Sequence, residues 1–200
     1  MTMRKTNTVK LVGLALFTAI VVVLQLLGSF IHLGVFSISL VLVPIVIGGA
    51  LYGVAAGAWL GFVFGVVVLL SGDANFFLTY NIIGTILTCL LKGALCGACA
   101  AQMYKLLSEK NRYLAVIAAA VTCPVVNSGI FLLGTLTFFT KAVEDLGGAG
   151  NILGFTVVVL IGANFLFELL FNIVLAPVIL RIINLGLGYF NRNKAVPRAV

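Results

Sequence analysis

A single glutamate interrupts the apolar stretch GANFLFELLFN, which runs from Gly162 to Asn172. In a helix, Asn164, Glu168 and Asn172 follow one another at intervals of four residues and therefore share one face. The other residues of the stretch are Phe, Leu, Ala and Gly. A carboxylate between two amides can fix a neighbouring helix by hydrogen bonds, or it can hold a polar ligand. The spacing predicts a polar stripe on an otherwise apolar helix.

A second polar stripe lies in YNIIGTILTCLLKG, where Asn81, Thr85, Thr88 and Lys92 recur at helical spacing. Lys92 stands near the middle of its apolar segment, as Glu168 does in its own. A charge at the centre of a bilayer costs at least about 2.5–3.5 kcal/mol. We therefore expect Lys92 and Glu168 to face the interior of a helical bundle, where they either meet each other or share a polar cavity.

Two interpretations of these stripes stay open, and they are compatible. The charges can act as an internal staple between two helices, or they can line a ligand cavity with the neighbouring amides and hydroxyls. Asn127 follows Pro124, which frees a backbone carbonyl, so Asn127 can contact a ligand or bridge helices. The predicted substrate-binding residues are Tyr80, Asn81, Thr85, Thr88, Lys92, Asn127, Asn164 and Glu168.

Catalytic and metal chemistry find little support. The one histidine, His32, lies in a predicted outer connection, and Glu168 is the only carboxylate expected at membrane depth. A membrane enzyme would need a nucleophile and a base that lie close together, or an acidic metal cluster. The four cysteines, which fall inside predicted spans, are typical packing residues. We expect no catalytic residue, no metal site and no cofactor in this chain.

The solvent around these residues follows from composition. The chain has 200 residues, of which 62% are hydrophobic and 8% are charged. Soluble domains typically have about 25% charged and 45–50% apolar residues, so we predict a polytopic membrane protein embedded in the lipid bilayer. The net charge of +7 arises from basic residues in short loops and termini. These indicate membrane orientation and not a nucleic-acid partner.

Hydropathy, with Gly, Pro and charge as breaks, predicts an all-α bundle of six transmembrane helices in a single integral domain, residues 1–200. The spans are expected at 9–28, 37–52, 54–71, 80–106, 113–139 and 153–184. The second and third are joined by almost nothing, since GGALYG offers the only candidate turn. Either they form a tight helical hairpin, or one of them is tilted or incomplete.

Orientation follows from the lysines and arginines. Ten of the twelve fall in the N-terminus, in the 105–112 connection or from Arg181 to the C-terminus, and the opposite loops hold only Lys141. The positive-inside rule predicts that both termini are cytoplasmic. No nucleotide-binding loop is found, so we expect this chain not to hydrolyse ATP.

Small residues predict close helix contacts. Gly53, Gly57, Gly61 and Gly65 recur every four residues, which gives a groove that allows backbones to approach closely. The groove can serve packing within the chain or the docking of another subunit. Ala15 and Ala19 form a smaller groove of the same kind in the first predicted span.

Together, the segments KLVGLALFTAIVVVLQLLG and LVPIVIGGALYGVAAGAWLGFVFG resemble the substrate-binding S components of energy-coupling factor (ECF) vitamin transporters. The Ala15-x-x-x-Ala19 pair matches a motif in the family's first helix. The resemblance implies a bacterial plasma-membrane protein that binds a water-soluble vitamin, such as riboflavin or pantothenate. It also implies a transmembrane T component, docked at Ala15 and Ala19, and two ATPase subunits as partners. The alternative is an autonomous small-molecule carrier or channel.

Overall fold

The structure is a computed structural model that describes residues 2–29, 32–33, 36–37, 40–148 and 150–195, with side chains for 8–29, 40–147 and 150–189 except Ala163. The side chains of His32, Arg4, Lys5, Arg192, Lys194 and Arg198 lie outside the described residues.

Helices make up nearly all of the described chain. They are α1 Thr2–Gly28, α2 Leu42–Tyr52, α3 Val54–Ser71, α4 Asn75–Leu78, α5 Ile82–Ser108, α6 Arg112–Phe138, α7 Thr140–Val143, α8 Ile152–Phe155, α9 Gly162–Val174 and α10 Ala176–Ala195. Wider π-helical turns at Glu144–Gly148 and Thr156–Ile161 follow α7 and α8. A short antiparallel hairpin pairs His32–Leu33 (β1) with Phe36–Ser37 (β2).

Local sequence explains where the long helices begin. The side chain of Asn81 accepts a hydrogen bond from Gly84 N at 2.8 Å and caps α5. Asn111 caps α6 in the same way through Tyr113 N at 2.9 Å. Between α2 and α3, Gly53 has φ of 98°, a conformation that a residue with a Cβ rarely adopts. This one residue reverses the chain between two apolar helices.

Within the described residues, four helices are long and apolar enough to cross a membrane, at Thr8–Gly28, Val54–Ser71, Ile82–Ser108 and Arg112–Phe138. Two bent pairs, Thr140–Gly147 with Ile152–Ile161 and Asn164–Val174 with Ala176–Tyr189, pass the same test when each pair is taken together. The chain is therefore a helical membrane protein.

Two predicted spans differ from the observed helices. In the span predicted at 37–52, the helix begins only at Leu42 and has 11 residues, about 16 Å at 1.5 Å per residue. The span predicted at 153–184 is interrupted, since α9 and α10 meet at a bend of 52°. Pro177, at the start of α10, has no N–H for the carbonyl of Ile173, which explains the bend.

The glycine groove of α3 packs inside the chain. A Cβ added to Gly61 would overlap the backbone carbonyl of Gly93 on α5, and one added to Gly57 would overlap that of Gly97. Gly65 lies equally close to α5 one turn further on. Of the two uses left open for this groove, the structure has the intramolecular one, because α5 fills it.

The long helices alternate in direction between two ends of the bundle. At one end, Gly53, Lys105, Arg112 and Leu187 line a shared groove. Gly13, near the start of α1, packs against Tyr52 beside this groove. The other end is marked by a cavity whose lining includes Gln25 of α1, Asp73 after α3, Thr85 of α5, Phe139 after α6 and Asn164 of α9. The first half of α1, the basic 105–112 connection and α10 therefore lie at the same end.

Candidate functional site

A cavity occupies the bundle interior near the end where α1, α3 and α6 finish. The polar residues of its lining are Gln25, Asp73, Thr85, Thr88, Lys92, Asn127, Ser128, Asn164 and Glu168. The apolar residues are Val68, Ala74, Phe77, Cys89, Phe131, Phe139, Leu160 and Ile161. Six parts of the chain contribute, namely α1, the end of α3 with its following turn, α4 through Phe77, α5, α6 with Phe139, and the segment from Leu160 into α9.

Most of the predicted site residues come together here. Those in the lining are Thr85, Thr88, Lys92, Asn127, Asn164 and Glu168. Tyr80 and Asn81 lie outside it. The Asn81 side chain caps α5, and Tyr80 is exposed in the connection before α5.

Lys92 and Glu168 share this cavity, which is one of the two arrangements that the sequence left open. The Lys92 ammonium lies 5.5 Å from the centre of the Phe131 ring and 5.7 Å from that of Phe64. A cation over an aromatic face is stabilised by the negative face of the ring, more so where water is excluded. The lysine is thus held between aromatic residues on α3 and α6.

Glu168 is buried, with 3% of its surface exposed, and belongs to a small polar network. The amide nitrogen of Asn127 on α6 donates to Glu168 Oε2 at 3.5 Å, a long hydrogen bond that links α6 to α9. Asn172 donates its amide nitrogen to the backbone carbonyl of Glu168 at 2.8 Å. Asn172 is buried but is not part of the cavity lining.

Sequence reasoning missed a second polar link in the cavity wall. The amide nitrogen of Gln25, which is 1% exposed, donates to Asp73 Oδ2 at 2.8 Å. Ser71 donates to the same carboxylate oxygen at 2.9 Å. The signal in the sequence was the lone glutamine of VVVLQLLG, since an amide inside an apolar span requires a polar partner.

An aromatic cluster closes the wall between the turn after α3 and the end of α6. The ring of Phe77 lies 4.9 Å from that of Phe139 and 5.5 Å from that of Phe131, at steep angles. Tilted and edge-on contacts of this kind stabilise aromatic pairs beyond their buried area. The cluster therefore supplies an apolar part of the cavity wall.

A hydrogen bond joins the connection before α5 to the turn after α7. The hydroxyl of Tyr80 donates to Asp145 Oδ2 at 2.7 Å. This hydrogen bond, partial desolvation and the negative charge of Asp145 all raise the pKa of Tyr80 above its ordinary value. The phenol therefore stays protonated and keeps the connection before α5 attached to the turn after α7.

Metal chemistry has no ready ligand set in the described part of the chain, where no group of three or more His, Cys, Asp or Glu residues could hold an ion. Cys89, Cys96 and Cys123 are buried, and Cys96 donates to the carbonyl of Gly93 at 3.1 Å. These cysteines pack along α5 and α6.

Comparison with known proteins gives one finding. A family model described as “ECF transporter, substrate-specific component” matches residues 9–180, which is most of the chain. No curated protein and no solved structure matches.

Proposed function

Since the chain belongs to the family of substrate-specific components of ECF transporters, we propose that it captures a water-soluble vitamin, such as riboflavin or pantothenate, outside a bacterial plasma membrane and delivers it inward. Membership makes it a substrate-binding subunit of a transporter. The class of substrate, the side of capture and the partners are the parts that we propose.

The observation that carries this proposal is the polar cavity inside an apolar bundle. Amides, hydroxyls, a lysine and two carboxylates converge there from helices far apart in sequence. Ligand sites combine apolar walls with a few convergent polar groups, and ionisable residues at membrane depth are functional candidates. We propose Thr85, Thr88, Lys92, Asn127, Asn164 and Glu168 as substrate contacts, with Gln25 added to them.

Binding of a vitamin requires the cavity to widen. Its volume is about 70 Å³, whereas pockets for small organic ligands are typically about 300–1,000 Å³. We propose that the connections joined by Tyr80 and Asp145 separate when the substrate enters. In this proposal Tyr80 and Asn81 act at the mouth of the cavity, Tyr80 through its bond to Asp145.

We propose that the bundle crosses the membrane six times, with both termini cytoplasmic. The six crossings are α1, α2, α3, α5, α6 and the bent unit of α9 and α10. The charge asymmetry supports this orientation, because the 105–112 connection, the start of α1 and α10 share one end of the bundle. The cavity lies at the opposite end and would then open to the outside.

Energy for inward delivery must come from other subunits in this proposal, because the sequence has no nucleotide-binding loop. We propose a transmembrane T component and two ATPases as partners. Ala15 and Ala19 are exposed on α1. Only 17% of the apolar window of α1 is buried, against 33–44% in the other three long helices. A small-residue groove on so little-buried a helix favours docking of another membrane helix.

The test is to purify the protein from its host membrane, denature it and identify released small molecules by mass spectrometry. A stoichiometric vitamin is expected, together with copurification of a membrane subunit and an ATPase pair under mild extraction. Uptake by cells that lack those subunits would instead indicate an autonomous carrier. The absence of any bound or binding vitamin would overturn the proposed function.

A further inference from the structure

We infer that the substrate is rich in N–H or O–H donors and carries no net negative charge, and that Gln25 and Asn127 select it through their side-chain carbonyls. This inference rests on the proposed function and narrows the vitamin to a chemical class.

Gln25 belongs to the cavity lining and carries a fixed hydrogen-bond acceptor. Its amide nitrogen is committed to the carboxylate of Asp73 at 2.8 Å, and the opposite orientation of the amide would set two oxygens against each other. The carbonyl oxygen, Oε1, is buried and has no hydrogen-bond partner within the described chain. A buried acceptor without a donor destabilises the fold by about 1–3 kcal/mol. A ligand N–H or O–H that donates to this oxygen would remove that penalty and so favour binding.

Asn127 on α6 repeats this arrangement in the same cavity lining. Its amide nitrogen faces the carboxylate of Glu168, and its carbonyl oxygen, Oδ1, is buried without a partner among the described residues. The side chain is only 6% exposed. Two lining residues on separate helices, Gln25 on α1 and Asn127 on α6, thus each carry a buried side-chain carbonyl oxygen without a partner among the described residues.

The charges of the cavity lining also favour a ligand without net negative charge. The lining side chains with a formal charge, in the part of the chain that the structure describes, are one lysine, Lys92, and two carboxylates, Asp73 and Glu168. Their formal charges sum to −1. A ligand with a carboxylate or phosphate would add negative charge to a low-dielectric site. A neutral or cationic ligand avoids that penalty and can donate to the carboxylates.

Ligand chemistry can be tested on the unmodified protein. Four probes separate charge from donor content: riboflavin, which is neutral with an imide N–H and hydroxyls; thiamine, which is a cation with an amino group; pantothenate, which is an anion; and pantothenol, its neutral alcohol analogue. Equilibrium dialysis in detergent should find riboflavin or thiamine bound at least about 10-fold more tightly than pantothenate. Pantothenol should bind at least as well as pantothenate.

Variants test the two carbonyls. Gln25→Met and Asn127→Leu keep similar shapes but remove the acceptors, and each should raise the Kd of the best probe about 10-fold or more. Asn172→Leu is the matched control, because Asn172 also has a buried carbonyl oxygen without a partner in the described chain but lies outside the cavity lining. Its Kd should stay within about two-fold of the parent value.

The results of these experiments distinguish an error in the inferred substrate class from an error in the proposed function. If pantothenate binds most tightly and pantothenol does not bind, the inferred class of substrate is wrong, while the proposed function stands. If Gln25→Met and Asn127→Leu bind as the parent does, the two carbonyls do not select the ligand. If no vitamin is found in the purified protein and none of the four probes binds, the proposed function fails with the inference.

Discussion

Gly61 on α3 and Gly93 on α5 face each other so closely that a Cβ on either residue would overlap the backbone carbonyl of the other. Similar contacts join Gly57 to Gly97 and Gly65 to Cys89 along the interface between α3 and α5, and both helices contribute residues to the cavity wall. Since lipid provides no hydrophobic drive between helices, van der Waals contact of this quality holds them together.

Gly61→Ala should therefore lower stability by about 1–3 kcal/mol, because the added methyl group forces two backbones apart. Thermal unfolding of the purified protein in detergent measures the effect. Gly129→Ala is the matched control, since a Cβ at Gly129 on α6 would meet no atom within 4 Å. That variant should be neutral or stabilising by up to about 1 kcal/mol. Equal Tm values for the two variants would contradict the importance of this contact.

Lys92→Met should lower the Tm more than Glu168→Gln does. The first change leaves two carboxylates, Asp73 and Glu168, in the cavity without a cation, whereas the second leaves one carboxylate beside Lys92. The double variant should recover part of the loss, with a coupling energy of about 0.5–3 kcal/mol. A double-mutant cycle on thermal unfolding checks this, with Lys141→Met, an exposed lysine, as control. Strictly additive losses would show that the two charges do not interact.

Tyr80 should titrate above the ordinary pKa of a tyrosine, because Asp145 favours its protonated form. Because the pKa of Tyr80 is raised in the folded protein, the hydrogen bond contributes its full stabilisation at pH values below the unfolded-state pKa, which is near 10. This stabilisation is lost as the pH rises through the folded-state pKa. In Asp145→Asn the Tyr80 phenol should titrate at lower pH. Ring-labelled tyrosine NMR, assigned with Tyr80→Phe, measures the midpoint. An unchanged midpoint in Asp145→Asn would show that the bond does not form.

Ala19→Trp should reduce vitamin uptake by cells about 10-fold or more, because the bulky ring fills the groove proposed for the T component. The Kd of the isolated subunit should remain unchanged, while copurification of the membrane subunit and the ATPases should be lost. Leu133→Trp is a suitable control, since Leu133 is 63% exposed on α6. Normal assembly with lost ligand binding would instead assign the Ala15 and Ala19 groove to packing within the chain.

Lys110 and Glu144 should lie on opposite sides of the membrane. In a variant whose native cysteines are replaced by serine or alanine, Glu144→Cys should react with a membrane-impermeant maleimide on intact cells. Lys110→Cys should react only after the membrane is permeabilised. Strong labelling of Lys110→Cys on intact cells would contradict the proposed orientation.

Many of the residues in the candidate site could be predicted from their spacing along the sequence. Thr85, Thr88 and Lys92 lie on one face of α5 because a helix repeats every 3.6 residues, and the structure turns that face into the cavity. The resemblance to ECF substrate-binding components, based on Ala15, Ala19 and the glycine-rich segment, is confirmed by the family match over residues 9–180. Composition alone established the membrane class, since so few charges leave lipid as the only suitable solvent.

The tertiary structure decided which residues meet. Gln25 and Asp73 are 48 positions apart, and no local periodicity relates residues on separate helices. The sequence also left open whether the groove around Gly61 served this chain or a partner, because small residues permit close contact without naming the helix that makes it. In the structure, Gly93 of the same chain packs against Gly61, so the groove serves packing within this chain. Composition and the spacing of residues along a helix can be determined from the sequence by itself. Which helices pair with each other depends on how all their surfaces pack together.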